Sequence, residues 1–272
     1  MHPDTETVAR VRTPARAARR PLPPWLTLVA PPFAGALGVL LLWWLVTRLG
    51  HVREFLLPGP GAVVEAFWTL HGYLLSQTLT TLLEVVEGFA LSVVVGVAIG
   101  VGIAAWRAIE RTIYPLLLGI NAVPKLAVAP LLVVWLGFGQ VSKVVMVFLV
   151  CFFPIVISTA TGLLSTPPEL VELARSLSAG GVRTFVKIRF PAALREIFVG
   201  LKVAISLAVI GAVIGEFAGA DVGLGFVIQQ AGANANTALA FAAMTLLGIL
   251  SIVLFYLLVG VERLLAPWTR RT

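Results

Sequence analysis

Long apolar runs constrain the fold of this chain more than any other feature of its sequence. Residues 88–106 contain no charged side chain, and runs of similar character recur along the chain. A helix needs roughly 20 mostly apolar residues to cross about 30 Å of hydrocarbon. Strands of a membrane β-barrel would alternate in polarity over segments of about ten residues, a pattern that we do not find. The runs therefore predict an all-α integral membrane protein.

The composition excludes several classes of protein. Hydrophobic residues make up 59% of the 272 residues and charged residues only 12%, whereas a soluble domain carries about 25% charge. A disordered chain, a nucleic-acid-binding domain and an ordinary soluble enzyme are therefore excluded. Cys151 is the single cysteine and the three histidines are dispersed, so the sequence predicts no disulfide, no metal site and no cofactor.

Six transmembrane helices are predicted from the apolar runs. Backbone groups in lipid must bond within their own segment, so each run is expected to be helical despite its many β-branched residues. Pro124 and Lys125 interrupt the third run. The predicted spans cover residues 29–47, 81–106, 113–135, 141–164, 197–218 and 239–261.

The distribution of Lys and Arg predicts the orientation of the chain. Fifteen basic residues lie before the first span, in the second-to-third and fourth-to-fifth connections, and after the last span, whereas the opposite side carries only Arg48, Arg53 and Lys143. The positive-inside rule then places both termini in the cytoplasm. Residues 1–22 are expected to be a mobile basic tail on the inner surface, and residues 23–272 a single transmembrane domain.

The fourth-to-fifth connection, over residues 165–196, is the one cytoplasmic loop for which the sequence predicts structure. Thr166 and Glu169 flank two prolines in the pattern of a capping box, so a helix is expected to begin there. Ala179, Gly180 and Gly181 are expected to end that helix.

A second short amphipathic helix is predicted to follow in the same loop, and Pro191 is expected to stop it before the fifth span begins. A structured amphipathic hairpin of this kind suits docking to a soluble partner. It suits equally a position on the lipid headgroups at the membrane surface.

Three polar residues within the spans are candidates for a path through the membrane, namely Asn121, Lys125 and Glu216. A lysine at the centre of a spanning helix costs roughly 2.5–3.5 kcal/mol on insertion scales and usually faces a bundle interior or a watery cavity. Lys125 therefore lines the path and attracts an anionic or polar solute, or it pairs with a carboxylate, or it reaches water through the break at Pro124. Glu216 is expected to pair with a lysine or to shape an outer gate.

Two further features of the spans carry predictions. Glu84 and Glu87 share a helical face near the outer end of the second span, and because residues 88–106 suffice to cross, both carboxylates are expected at the membrane interface. Small residues at four-residue spacing predict close helix contacts in the second and fifth spans, at Gly96 and Gly100 and at Gly211, Gly215 and Gly219.

The cytoplasmic loop also carries a motif. Glu172-Leu173-Ala174 is followed after three residues by Ser178, and nine residues later by Ile188-Arg189-Phe190-Pro191. This stretch resembles the EAA loop of ABC-transporter permeases of the binding-protein-dependent import family, whose pattern is Glu-Ala-Ala, three residues, Gly, nine residues and Ile-x-Leu-Pro. The spacing matches throughout. Leu173, Ser178 and Phe190 depart from the pattern, and Ser178 replaces the glycine of the turn.

Other stretches resemble one branch of this family, the permeases for nitrate, sulfonate, taurine, and pyrimidine or riboflavin-type solutes. The likeness extends over about residues 55–268. The stretches that carry it are Leu57-Pro58-Gly59-Pro60, Val123-Pro124-Lys125, Ala129-Pro130-Leu131, Trp135-Leu136-Gly137-Phe138-Gly139, Phe152-Phe153-Pro154, Gly215-Glu216-Phe217 and Gly223-Leu224-Gly225.

The resemblance implies the permease subunit of an ATP-driven importer in the inner membrane. Such a subunit works as a dimer by alternating access, with a periplasmic or lipid-anchored binding protein outside and two ATP-binding cassette subunits inside. Its other partner is membrane lipid, with no nucleic acid. This chain contains no G-x-x-x-x-G-K-[ST] loop, so the sequence predicts no ATP hydrolysis and no catalytic residue in this subunit.

The resemblance also assigns the residues that couple the permease to its ATPase, all in the loop over 165–196. They are Glu169, Glu172, Ala174, Arg175, Ser178, Ala179, Gly180, Ile188 and Pro191. The alternative function is a secondary transporter or channel that works without ATP. Such proteins often contain inverted repeats with paired broken helices, and we find no repeat partner for the broken third span. An intramembrane enzyme would need converging titratable groups, which the spans lack.

Overall fold

A computed structural model of the chain describes residues 24–50 and 52–270, and all regular structure in these residues is helical. The predicted tail over residues 1–22 lies outside the described residues. The helices are α1 (Pro24–Leu49), α2 (Pro60–Thr69), α3 (His71–Ala105), α4 (Arg107–Asn121), α5 (Lys125–Leu136), α6 (Gln140–Leu164), α7 (Pro168–Ser176), α8 (Gly181–Thr184), α9 (Phe190–Gly219), α10 (Leu224–Ala233) and α11 (Thr237–Leu265).

Four helices in the described part are long and apolar enough to cross a membrane, namely α3, α6, the continuous α8–α9 stretch and α11. The bent pair α4–α5 makes a fifth candidate, and α1 contributes a shorter apolar stretch over Phe33–Leu49. The prediction of an all-helical membrane protein is confirmed. Length and composition support four spans, or five with the bent pair, where the sequence predicted six.

The second span begins ten residues earlier than predicted, at His71 rather than at residue 81. The first turns of α3 are amphipathic, so they lack the continuous apolar run on which the prediction rested. Leu74, Gln77 and Thr81 are buried at three- and four-residue spacing, which places them on one face of the helix. This extension of α3 carries polar side chains into the helix bundle.

The third predicted span is broken where the sequence predicted an interruption. α4 ends at Asn121 and α5 begins at Lys125, and the two helix axes differ by 90°. Pro124 precedes α5 with extended backbone angles (φ −63°, ψ 104°). Proline lacks an N–H and disfavours helical backbone in the residue before it, so Pro124 favours a break between the two helices.

The prediction that Pro191 separates the loop from the fifth span is wrong. Helix continues from Gly181 to Gly219, and residues 185–189 form a widened π-helical turn. In that turn the Phe190 N–H bonds the Phe185 carbonyl, five residues back. A regular helix would bring the proline ring against the carbonyl of the residue four positions earlier. The wider turn relieves this clash, so Pro191 lies in the first turn of α9.

α6 lies at the centre of the bundle, between α3 and α9. Half of the residues in an apolar 18-residue stretch of α6 are buried, compared with 11% in the corresponding stretch of α11 at the periphery. The predicted close helix contacts are present at Gly96 and Gly100 of α3. A β-carbon added at Gly96 would lie 2.9 Å from Ile155 Cγ2, and one added at Gly100 would lie 2.6 Å from Thr159 Cβ. Only glycine lets α3 approach α6 this closely.

Candidate coupling loop and buried polar sites

α7 ends in a Schellman motif, a pair of backbone hydrogen bonds that closes the last turn of a helix. The Ala179 N–H donates to the Ala174 carbonyl at 2.9 Å, and the Ser178 N–H donates to the Arg175 carbonyl at 2.9 Å. Ser178 has φ of 55°, in the left-handed region that favours glycine. The turn geometry of the motif is therefore present, with a serine side chain held in strained backbone.

The predicted capping box at the start of α7 is wrong. The helix begins at Pro168 with Pro167 at the N-cap position, so Thr166 lies one residue too early to cap it. The Thr166 hydroxyl instead donates to the Leu163 carbonyl of α6 at 3.1 Å. Pro168 does occupy the first helical position, and Glu169 lies in the first turn, where a carboxylate interacts favourably with the helix dipole.

The surface of α7 combines one buried anchor with exposed apolar side chains. Ala174 is only 3% exposed, whereas Leu173 and Leu177 are 56% and 74% exposed. The charged side chains of Glu172 and Arg175 are exposed as well. α7 and the residue that caps it therefore present exposed leucines beside neighbouring opposite charges.

The remaining motif residues follow α7 in the chain, toward the other end of the loop. Gly180 precedes α8, Ile188 is half-buried in the π-helical turn, and Pro191 opens α9. A cavity of about 760 Å³ separates α7 from the end of α3 and is lined by residues that include Glu172, Arg175 and Arg189. One residue from each half of the motif, Glu172 and Arg189, thus borders the same cavity.

Lys125 lies at the elbow between α4 and α5. Its ammonium group donates to the Asn121 side-chain oxygen at 2.8 Å and to the Asn121 carbonyl at 3.1 Å. The same group lies 5.2 Å from the centre of the Phe153 ring, within range of a cation–π interaction. Among the residues that the structure describes, no carboxylate forms an ion pair with Lys125. Lys125 and Asn121 therefore lie together, and the partner of Lys125 among the described side chains is an amide rather than a carboxylate.

Glu216 lies near the end of α9, apart from Lys125. It is fully buried against the N-terminus of α10. One carboxylate oxygen accepts from the Thr81 hydroxyl at 2.7 Å, and the other accepts from the Gly225 N–H. The Thr81 oxygen accepts the Leu224 N–H at 2.9 Å, and the Gln77 side chain accepts the N–H before it. Three N–H groups at the start of α10, those of Gly223, Leu224 and Gly225, are therefore satisfied by side chains of α3 and α9 rather than within the helix.

The sequence predicted Glu84 at the membrane interface. The structure instead buries this α3 side chain against α6, with 1% exposure. Its Oε1 accepts from the Lys143 ammonium group at 2.9 Å, and Lys143 is 3% exposed. Glu87 is exposed and accepts from the Gln140 side chain at 2.8 Å. The expected lysine partner is therefore present, but it bonds Glu84 rather than Glu216.

Gln77, Thr81, Glu84, Lys143 and Glu216 together form what we call the polar cluster. Sequence reasoning missed Gln77 and Thr81, and it placed Lys143 only by its side of the membrane. A signal was available, since positions 77, 81 and 84 repeat at four- and three-residue spacing and share a helical face. The partner residues around 216 and 223–225 lie more than 130 positions away, and no local pattern could locate them.

Comparison with known proteins shows to which family this chain belongs. A family model described as "Binding-protein-dependent transport system inner membrane component" matches residues 92–271. The chain belongs to this family. A probable ABC transporter permease of Haemophilus influenzae is 37% identical to this permease over 80% of the chain and 90% of the relative. The riboflavin transport system permease protein RibX of Chloroflexus aurantiacus is 35% identical over 85% and 87%.

Solved structures support the same fold. The permease matches a chain of the MetNI methionine ABC transporter in an inward-facing conformation, with a TM-score of 0.64 and 20% identity over 72% of this chain and 97% of that chain. The permease is therefore the multi-pass inner-membrane subunit of a binding-protein-dependent ABC importer for small solutes, and it works with ATPase and binding-protein partners. It is not itself the ATPase. This outcome decides against a secondary transporter or channel.

Proposed function

We propose that this permease moves a small anionic solute into the cell by alternating access, as one of two identical copies in the importer. One observation carries the anion assignment. The Lys125 ammonium group is half-buried at the break of the third span, and within the described part of the chain it is held by neutral groups of Asn121 and Phe153. A positive charge left without a carboxylate in a low-dielectric region attracts an anion strongly.

We further propose six spans, with α1 as the first and the bent pair α4–α5 as the third. Contacts of α1 with the rest of the chain support its place in the bundle. The Trp43 indole N–H donates to the Pro58 carbonyl at 3.1 Å, and the Trp43 ring lies 5.9 Å from the Phe241 ring of α11. With six spans, both termini lie in the cytoplasm and α7 faces the ATPase, in agreement with the distribution of basic residues.

In this proposal, α7 and the turn that follows it, over residues 169–180, couple the permease to its ATP-binding subunit. Ile188 and Pro191 lie at the base of the fifth span and belong to the same coupling region. Its exposed Leu173 and Leu177 offer apolar contacts to the ATP-binding subunit, and Glu172 offers a charge. Two copies of the chain would provide one such helix for each of two ATP-binding subunits. ATP binding shifts the permease between its two states only through a different affinity for each of them.

A second solute class is supported by the relatives rather than by the geometry. RibX and the formylaminopyrimidine transport permease protein ThiX of Halalkalibacterium halodurans are 35% and 32% identical to this chain. The taurine transport system permease protein TauC of Escherichia coli is 29% identical. A pyrimidine or riboflavin-type heterocycle is therefore the second candidate, and the sulfonate class is the one that Lys125 favours.

The solute class is tested by ATP-driven uptake into proteoliposomes that contain the permease with its own ATPase and binding protein. We expect uptake of a labelled alkanesulfonate, and Lys125→Gln should reduce that uptake by about tenfold or more, which corresponds to about 1.4 kcal/mol. Lys125→Arg should retain most of the rate, because it keeps the charge. Arg263→Gln, at an exposed position in the last turn of α11, is the control. Uptake of riboflavin but not of the sulfonate, with no effect of Lys125→Gln, would contradict the proposal.

A further inference from the structure

The polar cluster contains more acidic than basic side chains. It contains two carboxyl groups, on Glu84 of α3 and Glu216 of α9, and one ammonium group, on Lys143 of α6. α10 contributes only backbone N–H groups, and no other titratable side chain in the described part of the chain bonds to the cluster. All three charged side chains are at least 96% buried. An unbalanced charge in such surroundings is strongly unfavourable.

Glu216 is suited to be the ionised member of the pair. The Thr81 hydroxyl accepts the Leu224 N–H and has two acceptors for its own proton, Glu216 Oε1 at 2.7 Å and the Gln77 carbonyl at 3.2 Å, and the shorter contact is the one to the carboxyl group. The Gly225 N–H points to Glu216 Oε2. Both oxygens therefore face donors, and the carboxyl group lies at the N-terminus of α10, where negative charge is favoured.

Glu84 has the opposite environment. Its Oε1 accepts from Lys143, but its Oε2 is buried without any hydrogen-bond partner. Glu84 lies one helical turn after Thr81 on the buried face of α3, and Thr81 bonds Glu216, so both carboxyl groups belong to the same buried site. If both groups were ionised, two negative charges would share the single ammonium group of Lys143 in a site closed to water. A proton on Glu84 Oε2 removes this repulsion and gives the buried oxygen a partner.

We propose that the polar cluster is a binding site for one proton, which is carried by Glu84 Oε2 and donated to Glu216. The site is then neutral, with Lys143 positive, Glu216 negative and Glu84 an uncharged acid. The proton comes from water as the helices assemble, and no other group changes its charge. Its bound form links α3, α6, α9 and the start of α10 in one hydrogen-bonded network. This inference is independent of which solute the permease carries.

The proposal predicts an asymmetry between two matched variants. In Glu84→Gln the amide oxygen accepts from Lys143 and the amide N–H donates to Glu216, so the variant reproduces the neutral acid. In Glu216→Gln one acceptor oxygen becomes an NH₂ group that faces a donor. We expect the apparent Tm of Glu84→Gln to stay within about 2 °C of the wild type, and that of Glu216→Gln to fall by about 5 °C or more. Equal losses in both variants would overturn the proposal.

Infrared difference spectroscopy of the full chain in lipid nanodiscs at neutral pH observes the proton directly. The wild-type protein should show the carbonyl-stretch band of a buried protonated carboxylic acid. That band should be absent from Glu84→Gln and unchanged in Glu87→Gln, whose exposed carboxylate is the matched control. Uniform ¹³C labelling of glutamate should shift the wild-type band, so the assignment does not require either variant to fold. A wild-type spectrum without a glutamic acid band, or a band that persists in Glu84→Gln, would overturn the proposal.

Discussion

At the scale of single residues, the sharpest feature of the coupling loop is Ser178. It has φ of 55° at the position after the end of α7, and its N–H closes the final turn of that helix. A residue with a β-carbon costs roughly 1–2 kcal/mol in the left-handed helical conformation, whereas glycine adopts it readily. The replacement of the family's glycine by serine therefore leaves the fold of the turn intact but reduces its stability.

This strain leads to a prediction for Ser178→Gly. The variant should stabilise the end of α7 by about 0.5–1 kcal/mol, since the released strain exceeds the added freedom of the unfolded chain. Slower hydrogen exchange at the Leu177 and Ala179 amides would be the observation to look for. Gly180→Ala serves as a control, because Gly180 has φ of −63° and needs no glycine. Faster exchange in Ser178→Gly would show that serine is not strained there.

Residue-scale reasoning from sequence succeeded where chemistry is local. Three features were predictable, because each depends on a few adjacent residues. They are the departure of Ser178 from the motif, the helix break beside Lys125 and the position of Asn121 close to that lysine. The capping role of Thr166 was wrong because two consecutive prolines allow the helix to begin only at the second one. Glu84 was placed at the interface because residues 88–106 suffice to cross the membrane, and its partner Lys143 could not be located, since it lies 59 positions away on another helix.

At the scale of helices, glycine positions decide how closely α3 and α6 pack. The two glycines of α3 at positions 100 and 102 differ only in the face on which they lie. A β-carbon at Gly100 would lie 2.6 Å from Thr159 Cβ, whereas one at Gly102 would have no neighbour within 4 Å. The same substitution at these two positions should therefore have opposite effects.

We expect Gly100→Ala to destabilise the permease by about 1–3 kcal/mol, because α3 must move away from α6. Gly102→Ala should stabilise it by up to about 1 kcal/mol, since alanine is the better helix former. Denaturant or thermal unfolding of both variants in the same detergent measures the difference. Equal effects of the two substitutions would mean that the close approach of α3 to α6 does not control stability.

Helix prediction from the sequence was accurate where apolar runs are continuous. α6 and α11 begin within two residues of their predicted starts, at Gln140 and Thr237. The amphipathic start of α3 was missed because its buried side chains are polar as well as apolar. The continuity of the loop with the fifth span was missed because a π-helical turn accommodates Pro191, and a proline after an amphipathic stretch is equally typical of a helix end.

At the scale of the whole molecule, the permease has two regions of different character. The polar cluster fixes the helices near one end of the bundle through buried hydrogen bonds, while α7 presents exposed leucines at the other end. The sequence predicted the membrane class and the loop, because both depend on composition and on a spaced motif. It could not predict the cluster, because its bonds join Gln77 and Thr81 to residues about 140 positions away.

The central claim is that α7 contacts a nucleotide-hydrolysing subunit on the cytoplasmic side, and cross-linking tests it most directly. Cys151 is the only native cysteine and is fully buried, so Leu173→Cys adds a single exposed thiol to the chain. In the assembled importer, a short thiol-reactive photo-cross-linker at this position should join the permease to its ATP-binding subunit, with a yield that changes when ATP is added. Cross-linking to the binding protein instead, or no product with the ATP-binding subunit in an active importer, would contradict the account.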